Sequence, residues 1–207
     1  TYLNIEENHP SRSSSDTFYI DDDILLRTQT SAMQVRFMTS MEEKKPFKLV
    51  CPGKVYRKDD DDMTHSHEFH QMEALVVDYK SNLTNLKNSL ENLVKNFFNT
   101  NGKIRFRPSF FPFTEPSYEV DIECFKCGGK GCSTCKNTGF IEVLGAGMVH
   151  PNVLKNCGFD PEKFQGFAFG IGLERLAMFR YQINDVRDFY INDLRFNRNF
   201  KRMKGDE

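Results

Sequence analysis

Residues 54–73 read KVYRKDDDDMTHSHEFHQME, and this stretch decides the fold of the chain. Segments with β-branched and aromatic residues stand on both sides of a polar run that contains four consecutive aspartates. Two such segments joined by a polar connection predict an antiparallel hairpin with a long loop. We expect the chemistry of the protein to lie on this hairpin.

The second strand of the hairpin has an unusual face. Its period of two places Phe69, Gln71 and Glu73 on one side, with His70 and Met72 on the other. An aromatic ring, an amide and a carboxylate in a row suit the stacking of a base and the binding of an ammonium group. A solvent-facing strand with one stray Phe is the alternative, and the pattern alone leaves both interpretations open.

Composition sets modest limits. With 207 residues, of which 39% are hydrophobic, the chain is long enough for one domain that spans residues 1–207. A net charge of -1 gives no global footprint for nucleic acid, so contact with RNA has to be local or made by a partner. No run approaches the roughly 20 apolar residues of a membrane span, and no leader opens the chain, so we expect a cytoplasmic protein. Because the first residue is Thr1, we also expect a piece of a longer polypeptide.

Two local patterns precede the hairpin. Ser31 and Gln34 have the spacing of a capping box, at the head of an amphipathic segment whose Met33, Phe37 and Met41 share a face. Capping of a helix and binding of a ligand are both consistent with that pair. The run TFYI at 17–20 predicts a strand, and PFKLVCPGKVYR at 46–57 predicts two strands joined by a turn at its central Pro-Gly.

The segment after the hairpin predicts a helix and then irregular strands. Apolar residues recur at steps of three and four over residues 83–98, which indicates an amphipathic helix. Three prolines interrupt residues 104–123, which suits an edge strand or an irregular strand. They fix the backbone around Phe111, Phe113 and Glu115, which form either a pocket wall with a metal ligand or ordinary packing at a sheet edge.

Four cysteines within CFKCGGKGCSTC carry the strongest metal signal. Two CxxC pairs, Cys124 with Cys127 and Cys132 with Cys135, are separated by four residues. Their thiolates satisfy tetrahedral zinc and leave no open position, so the expected site is structural. Disulfides are the competing explanation, which a reducing cytosol disfavours.

The glycine-rich stretch GFAFGIGLER at 166–175 ends in a helix that begins near Leu173. Gly170 and Gly172 resemble part of a dinucleotide fingerprint, but Arg175 occupies the place of its third glycine and no βαβ unit surrounds it. An arginine in the first turn of this helix suits a polyphosphate, because its planar fork is always charged and binds oxygens bidentately.

These stretches together resemble a known family. YRKD at 56–59, HSHEF at 65–69 and FGIGLER at 169–175 resemble the second and third signature motifs of class II aminoacyl-tRNA synthetases. Within that class the chain resembles the α subunits of bacterial phenylalanyl-tRNA synthetases. The supporting stretches are HPSRSSSDTFYI, LLRTQTS, FHQMEALVVD, RFRPSFFPFTEPS and LGAGMVHPNVL.

The resemblance implies an α+β fold, in which helices flank an antiparallel sheet and the four-Cys segment 124–135 is a small insertion. It also implies activation of phenylalanine with ATP and transfer to tRNA(Phe). Its partner would be a β subunit in an α2β2 heterotetramer. The family's amino-terminal coiled-coil arm is not part of this sequence, and the aspartate loop would lie near the acceptor end of the tRNA.

The resemblance further implies roles for matching residues. Arg57 and Arg175 would be catalytic, with Arg57 on the α-phosphate, His65 on a phosphate, Phe69 under the adenine and Arg175 on the nucleotide. Glu115 would be a Mg²⁺ ligand. The amino acid would be bound by Ser31, Gln34, Gln71, Glu73, Phe111, Phe113, Ala168 and Gly170, with Ala168 at the bottom of the ring pocket.

Three alternatives remain at this point. One is a metal-dependent hydrolase that uses His65, His67 and His70 with the aspartates, although an HxH in a loop more often reflects a polar surface. Another is a catalytically silent fragment that binds zinc and RNA, which the joint presence of Arg57, Glu115 and Arg175 argues against. The third is another adenylate-forming ligase related to class II synthetases.

Overall fold

A six-stranded antiparallel sheet forms the centre of the computed structural model, which describes residues 2–6, 9–98, 102–124, 126–133 and 135–200. The strands follow the order β1-β2-β6-β5-β4-β3, so β1 and β3 are the edges. Their bounds are β1 Phe47–Tyr56, β2 Glu68–Asp78, β3 Ile104–Phe111, β4 Thr114–Glu123, β5 Phe140–Val149 and β6 Gln165–Gly172. The predicted antiparallel sheet is therefore confirmed. The single domain over residues 1–207 stays a prediction, and residues 201–207 lie outside the described ranges.

The predicted hairpin is confirmed, because β1 and β2 pair antiparallel with Val55 opposite Phe69. The predicted turn at Pro52 and Gly53 is wrong, since both residues lie inside β1. A proline is tolerated there because β1 is an edge strand. Gly53 leaves room for Arg27, whose guanidinium occupies the space of a side chain and donates to the carbonyl of Lys54 at 2.8 and 2.9 Å.

Helices pack against both faces of the sheet. Their bounds are α1 Ser31–Ser40, α2 Leu83–Phe98, α3 Pro151–Asn156, α4 Leu173–Tyr181 and α5 Leu194–Asn197, with 3-10 turns at Pro10–Arg12 and Val186–Phe189. The predicted helix at 83–98 is confirmed, and its buried Leu86, Leu90 and Val94 join one core with residues of β4, β5, β6 and α4. Burying each such side chain contributes about 1.5–3 kcal/mol. A second core joins Met38 of α1 to β2 and α3.

In the described part of the segment before β1, the predicted strand is absent and the helix at Ser31 forms with a different face buried. TFYI forms no strand, because its only strand-like pairing in the described structure is an isolated bridge from Tyr19 to Leu25. In α1 the buried residues are Ser31, Gln34 and Met38, while Met33 and Phe37 are 39% and 37% exposed. The helix therefore turns a partly polar face inward, and Ser31 and Gln34 of that face line a cavity.

None of the helices in the described part of the chain has both the length and the hydropathy that a membrane crossing needs.

A buried carboxylate joins the two strands at the β3 edge. Asp121 of β4 is 1% exposed and accepts from Arg105 and Arg107 of β3, with Arg107 Nε 2.7 Å away. Burial alone would raise the pKa of Asp121, but these hydrogen bonds hold it below its ordinary value. Arg107 also reaches Glu119 at 2.7 Å and Glu142 of β5 at 3.1 Å, so one guanidinium connects three strands.

This arrangement predicts a pH-dependent loss of stability in Asp121→Asn. At pH 7 we expect the free energy of unfolding to fall by about 3 kcal/mol, because two guanidinium groups lose a buried charged partner. Because the pKa of Asp121 is lower in the folded state, the carboxylate stabilises the fold fully above its ordinary pKa of 3.8. This stabilisation is lost as acid protonates the folded carboxylate, so the stability difference between wild type and Asp121→Asn shrinks toward pH 3. Denaturant unfolding at both pH values measures it. Asp22→Asn, at an exposed carboxylate, is the control, and an unchanged difference at both pH values would contradict the interpretation.

Candidate active site

A cavity of about 600 Å³ opens on the sheet face opposite α2 and α4. This volume is typical of small-molecule sites. Predicted site residues that line it are Ser31, Gln34, Arg57, Gln71, Glu73, Phe111, Phe113, Ala168 and Gly170. The fold therefore brings together residues of β2, β3, β6 and α1, the residue after β1 and the turn before β4, although Ser31 and Gly170 are 139 residues apart in sequence.

Glu73 is the polar centre of the cavity and is 6% exposed. Its carboxylate accepts from Ser31 Oγ at 2.8 Å, from Gln34 Nε2 at 2.7 Å and from Gln71 Nε2 at 2.8 Å. Burial raises the pKa of Glu73, although hydrogen bonds from Ser31 and Thr30 act in the opposite direction. The capping interpretation of Ser31 and Gln34 is wrong, because the helix has no side-chain cap and both residues donate to Glu73 instead.

An oxygen atom without a hydrogen-bond partner in the described structure and an open space, both beside Glu73, favour a cationic ligand. The buried Gln71 Oε1 has no hydrogen-bond partner among the described residues. Gly170 of β6 lies opposite Glu73, and a side chain there would come within 3.1 Å of Gln71 Nε2 and of Glu73 Cγ. The backbone thus leaves space over a carboxylate and a free carbonyl oxygen, which together suit an ammonium group.

An aromatic wall bounds another part of the cavity. The rings of Phe111 and Phe113 stack with centroids 6.0 Å apart and planes 7° apart. Ala168, Val149 and Val153 also line the cavity, so this part is apolar. The two phenylalanines therefore form part of the cavity wall, and their role in binding an amino acid stays a prediction.

The hairpin contributes a stacked arginine at the cavity mouth. Arg57 follows β1 and lies over the Phe69 ring of β2, with its guanidinium carbon 5.1 Å from the ring centroid. Burial by the surrounding protein lowers the pKa of Arg57, while Asp59 and Glu73 act in the opposite direction. At ordinary pH the group stays charged. Its cation-π contact with Phe69 holds it where an anion can reach it.

The second predicted arginine lies where β6 becomes α4 without an intervening loop. Arg175 stands in the first turn of α4, as predicted, and donates through Nη1 to the carbonyl of Glu142 at 3.2 Å. Arg175 and Phe69 do not line the cavity themselves, but Glu142 does. The guanidinium is thus fixed beside the cavity rim.

Besides Phe69 and Arg175, two more predicted residues do not line the cavity. His65 lies in the hairpin loop with its side chain 55% exposed and pairs with Asp62 at 3.0 Å. Glu115 is 74% exposed and pairs with His150 at 3.3 Å.

The aspartate loop is internally paired. Asp61 accepts from the backbone N–H of His67 and contacts its ring at 2.8 Å, while Asp62 does the same for His65. These hydrogen bonds hold the pKa of both carboxyls below their ordinary range. Two of the four loop aspartates therefore have a local structural role. The same contacts argue against a hydrolase in which His65, His67 and His70 share a metal, because His70 contacts Glu174 instead. Among the described residues, the group arranged for a metal is the cysteine cluster.

Sequence reasoning missed part of the rim. Glu119 and Glu142 line the cavity, and Arg107 contacts both. Leu3 and His9, from the start of the chain, also line it. A charged residue inside the apolar strand FIEVLG was the available signal for Glu142, whereas nothing local marked Leu3 or His9.

The cysteine cluster forms a closed four-sulfur site between β4 and β5. The ligand atoms of Cys124, Cys127, Cys132 and Cys135 all lie within 4.8 Å of one another. Three sulfur pairs are 3.8 Å apart, which is the separation around a tetrahedral ion with bonds of about 2.3 Å. The six cysteines, all among the described residues, form no disulfide, and Cys51 and Cys157 are buried elsewhere, as predicted. Burial raises the pKa of the Cys124 thiol to about 11, and because cysteines bind metal ions as thiolates, metal binding here would release its proton.

The antiparallel sheet and the cavity that its hairpin and its glycine-rich strand help to line are those of a class II aminoacyl-tRNA synthetase core. The chain belongs to the family of tRNA synthetases class II core domain (F), whose model matches residues 1–200.

Similar proteins agree with this family. The chain is 60% identical over 199 residues to the phenylalanine–tRNA ligase alpha subunit of Bacillus pumilus (strain SAFR-032) and 60% identical over 199 residues to that of Bacillus subtilis (strain 168). The alpha subunit of Bacillus licheniformis is 59% identical over 199 residues. Each alignment covers 96% of this chain and 58% of the relative, so the chain spans somewhat more than half the length of these proteins.

Proposed function

We propose that this chain is the catalytic part of a phenylalanine–tRNA ligase α subunit, which activates phenylalanine with ATP to phenylalanyl-adenylate and then transfers the phenylalanyl group to tRNA(Phe) with release of AMP. The observation that carries the proposal is the juxtaposition, in one cavity, of the buried Glu73 carboxylate and the stacked pair Phe111 and Phe113. One end of the cavity suits an ammonium group and the other suits an aromatic side chain.

The amino acid would bind with its ammonium group against Glu73 and Gln71 Oε1. Ser31 and Gln34 orient the Glu73 carboxylate, and Gly170 leaves the space above it. The ring would pack against Phe111 and Phe113, with Ala168 at the pocket bottom. Because this region is apolar, the hydroxyl of tyrosine would lose its hydrogen bonds with water, which favours phenylalanine to a limited extent.

ATP would occupy the side of the cavity that Arg57 and Arg175 border. An oxygen of the phenylalanine carboxylate attacks the α-phosphorus, a P–O bond forms, and pyrophosphate leaves with the electrons of the broken bond. That carboxylate is already ionised at neutral pH, so no general base is required. The work of the protein is to position the reactants and neutralise charge, which two guanidinium groups can do. Phe69 offers the face for the adenine, and His65 stays a predicted phosphate contact.

Class II synthetases in general use ATP together with Mg²⁺. Magnesium is commonly held by one or two carboxylates together with phosphate oxygens and water. Glu115 fits that pattern as a single exposed carboxylate next to Thr114 of the cavity wall. When bound, the ion would neutralise phosphate charge.

We further propose that the cysteine cluster holds structural zinc, since four sulfurs at tetrahedral separations leave no open position for a substrate. The name of the Bacillus relatives as alpha subunits supports a β partner, and we infer an α2β2 tetramer that acts in the cytoplasm.

The test is amino-acid-dependent ATP–pyrophosphate exchange by this chain assembled with its β partner. We expect exchange with phenylalanine, at least about tenfold weaker exchange with tyrosine and none with aliphatic amino acids. Preference for another amino acid would favour a different adenylate-forming ligase. Binding of tRNA without any exchange would favour the silent zinc- and RNA-binding fragment.

A further inference from the structure

A buried carboxylate on the helix side of the sheet joins three elements that the proposed reaction does not otherwise connect. Glu174, in the first turn of α4, is 9% exposed. Its carboxylate accepts from the backbone N–H of His70 at 2.9 Å, contacts His70 Nδ1 at 2.7 Å and accepts from the Tyr190 hydroxyl at 2.7 Å. The network therefore links β2, α4 and the segment that follows the 3-10 turn Val186–Phe189.

The register of the sheet explains why a side chain, and not a backbone carbonyl of β6, accepts from the N–H of His70. β6 pairs with β2 only as far as Gly172 opposite Gln71, so the next residue of β2, His70, has no β6 backbone partner. Glu174 supplies the missing acceptor two residues after the strand has become a helix. A carboxylate is the strongest acceptor available for several donors at once.

The residues next to the network are those of the proposed ATP site. His70 lies between Phe69 and Gln71, and because strand side chains alternate, these two neighbours point to the opposite face of the sheet. Glu174 directly precedes Arg175. One carboxylate thus fixes the backbone that carries the adenine-stacking ring and the backbone that carries the nucleotide-binding guanidinium.

We propose that Glu174 is a positioning residue, which acts through His70 and Tyr190 to hold Arg175 and Phe69 at a fixed separation for ATP. This inference rests on the proposed function. Tyr190 contributes a hydrogen bond to Glu174. Burial and the Glu174 carboxylate raise the pKa of the Tyr190 hydroxyl, so it stays a donor. The same segment holds the hairpin loop, since Val186 N–H donates to the carbonyl of Met63 at 3.0 Å.

The experiment uses the chain assembled with its β partner and compares Tyr190→Phe, His70→Leu and His70→Asn with Glu174→Gln. The asparagine amide can replace His70 Nδ1 as a donor, whereas leucine cannot. We expect His70→Leu and Tyr190→Phe to raise the KM for ATP about five- to tenfold, the scale of the net loss of one ordinary hydrogen bond. His70→Asn should stay within about twofold of wild type, and in the other variants the KM for phenylalanine should rise less than the KM for ATP.

Direct ATP binding by calorimetry separates this inference from the proposed function. If wild type binds ATP but shows no phenylalanine-dependent exchange, the proposed function fails, and the same variants still test the positioning role through their ATP affinities. Equal increases in the KM for ATP and for phenylalanine, or a His70→Asn variant as impaired as His70→Leu, would overturn the inference. Glu91→Gln, at an exposed carboxylate 4.0 Å from Lys95, is the matched control and should behave as wild type.

Discussion

Arg175→Ala is expected to reduce phenylalanine-dependent ATP–pyrophosphate exchange by at least about 10³-fold in kcat/KM, the scale seen when an arginine that stabilises a transferring phosphate is removed. The physical reason is that negative charge accumulates around the α-phosphorus as the carboxylate attacks. Arg175 is a fixed cation at the start of α4, where the helix N-terminus adds to its positive potential. Initial rates over a range of ATP concentrations measure the effect.

Two further variants separate loss of charge from loss of structure. Arg175→Lys keeps the charge without the planar fork, so we expect an intermediate loss of about 10²-fold. Arg195→Ala removes a guanidinium whose side chain is 91% exposed and should leave exchange unchanged. The Arg175 contact with the Glu142 carbonyl is partly structural, so thermal unfolding accompanies each assay. Retention of more than about a tenth of the exchange rate in Arg175→Ala would exclude the nucleotide role.

The second large effect concerns the cysteine cluster. Metal analysis of the purified chain should find about one zinc per chain, because four thiolates at these separations match its tetrahedral preference. Cys132→Ser should lose the metal and lower the thermal midpoint by about 5–15 °C, since binding of structural zinc contributes directly to folding. Treatment of wild type with a strong chelator should give a similar shift.

Cys157→Ala provides the control for the zinc experiment, because Cys157 is a buried thiol outside the cluster. This variant should keep its zinc even if its stability falls. Iron in place of zinc would contradict the zinc assignment while supporting a four-sulfur site. A wild-type chain with no bound metal and no response to chelator would exclude both.

Regular alternation and close spacing explain what could be predicted from the sequence. The face of Phe69, Gln71 and Glu73 followed from the period of two, which holds in any strand. The cysteine cluster followed from CxxC spacing, because all its ligands lie within twelve residues, 124–135. Residues 83–98 repeat their apolar positions over several turns, and such a pattern depends little on the rest of the chain.

Long-range contacts explain what could not be predicted. Ser31 and Gln34 fit a local capping rule, but their partner Glu73 lies 42 and 39 residues away, and its buried charge takes precedence. Pro52 and Gly53 have turn composition, yet the edge position of β1 lets the strand continue through them. The acceptor Glu174 could be assigned to His70 only once the end of β6 was known.

The direct passage from β6 into α4 has a consequence for how the two substrates influence each other. Ala168 and Gly170, which border the amino-acid side, and Arg175, on the nucleotide side, belong to one uninterrupted piece of backbone only eight residues long, 168–175. A displacement at one end has no flexible joint in which to be absorbed. Occupancy of either half should therefore change the affinity of the other, and by thermodynamic reciprocity the two changes must be equal. An amino acid that fits the ring pocket poorly would then bind more weakly and would also leave the α-phosphate less well placed for its attack.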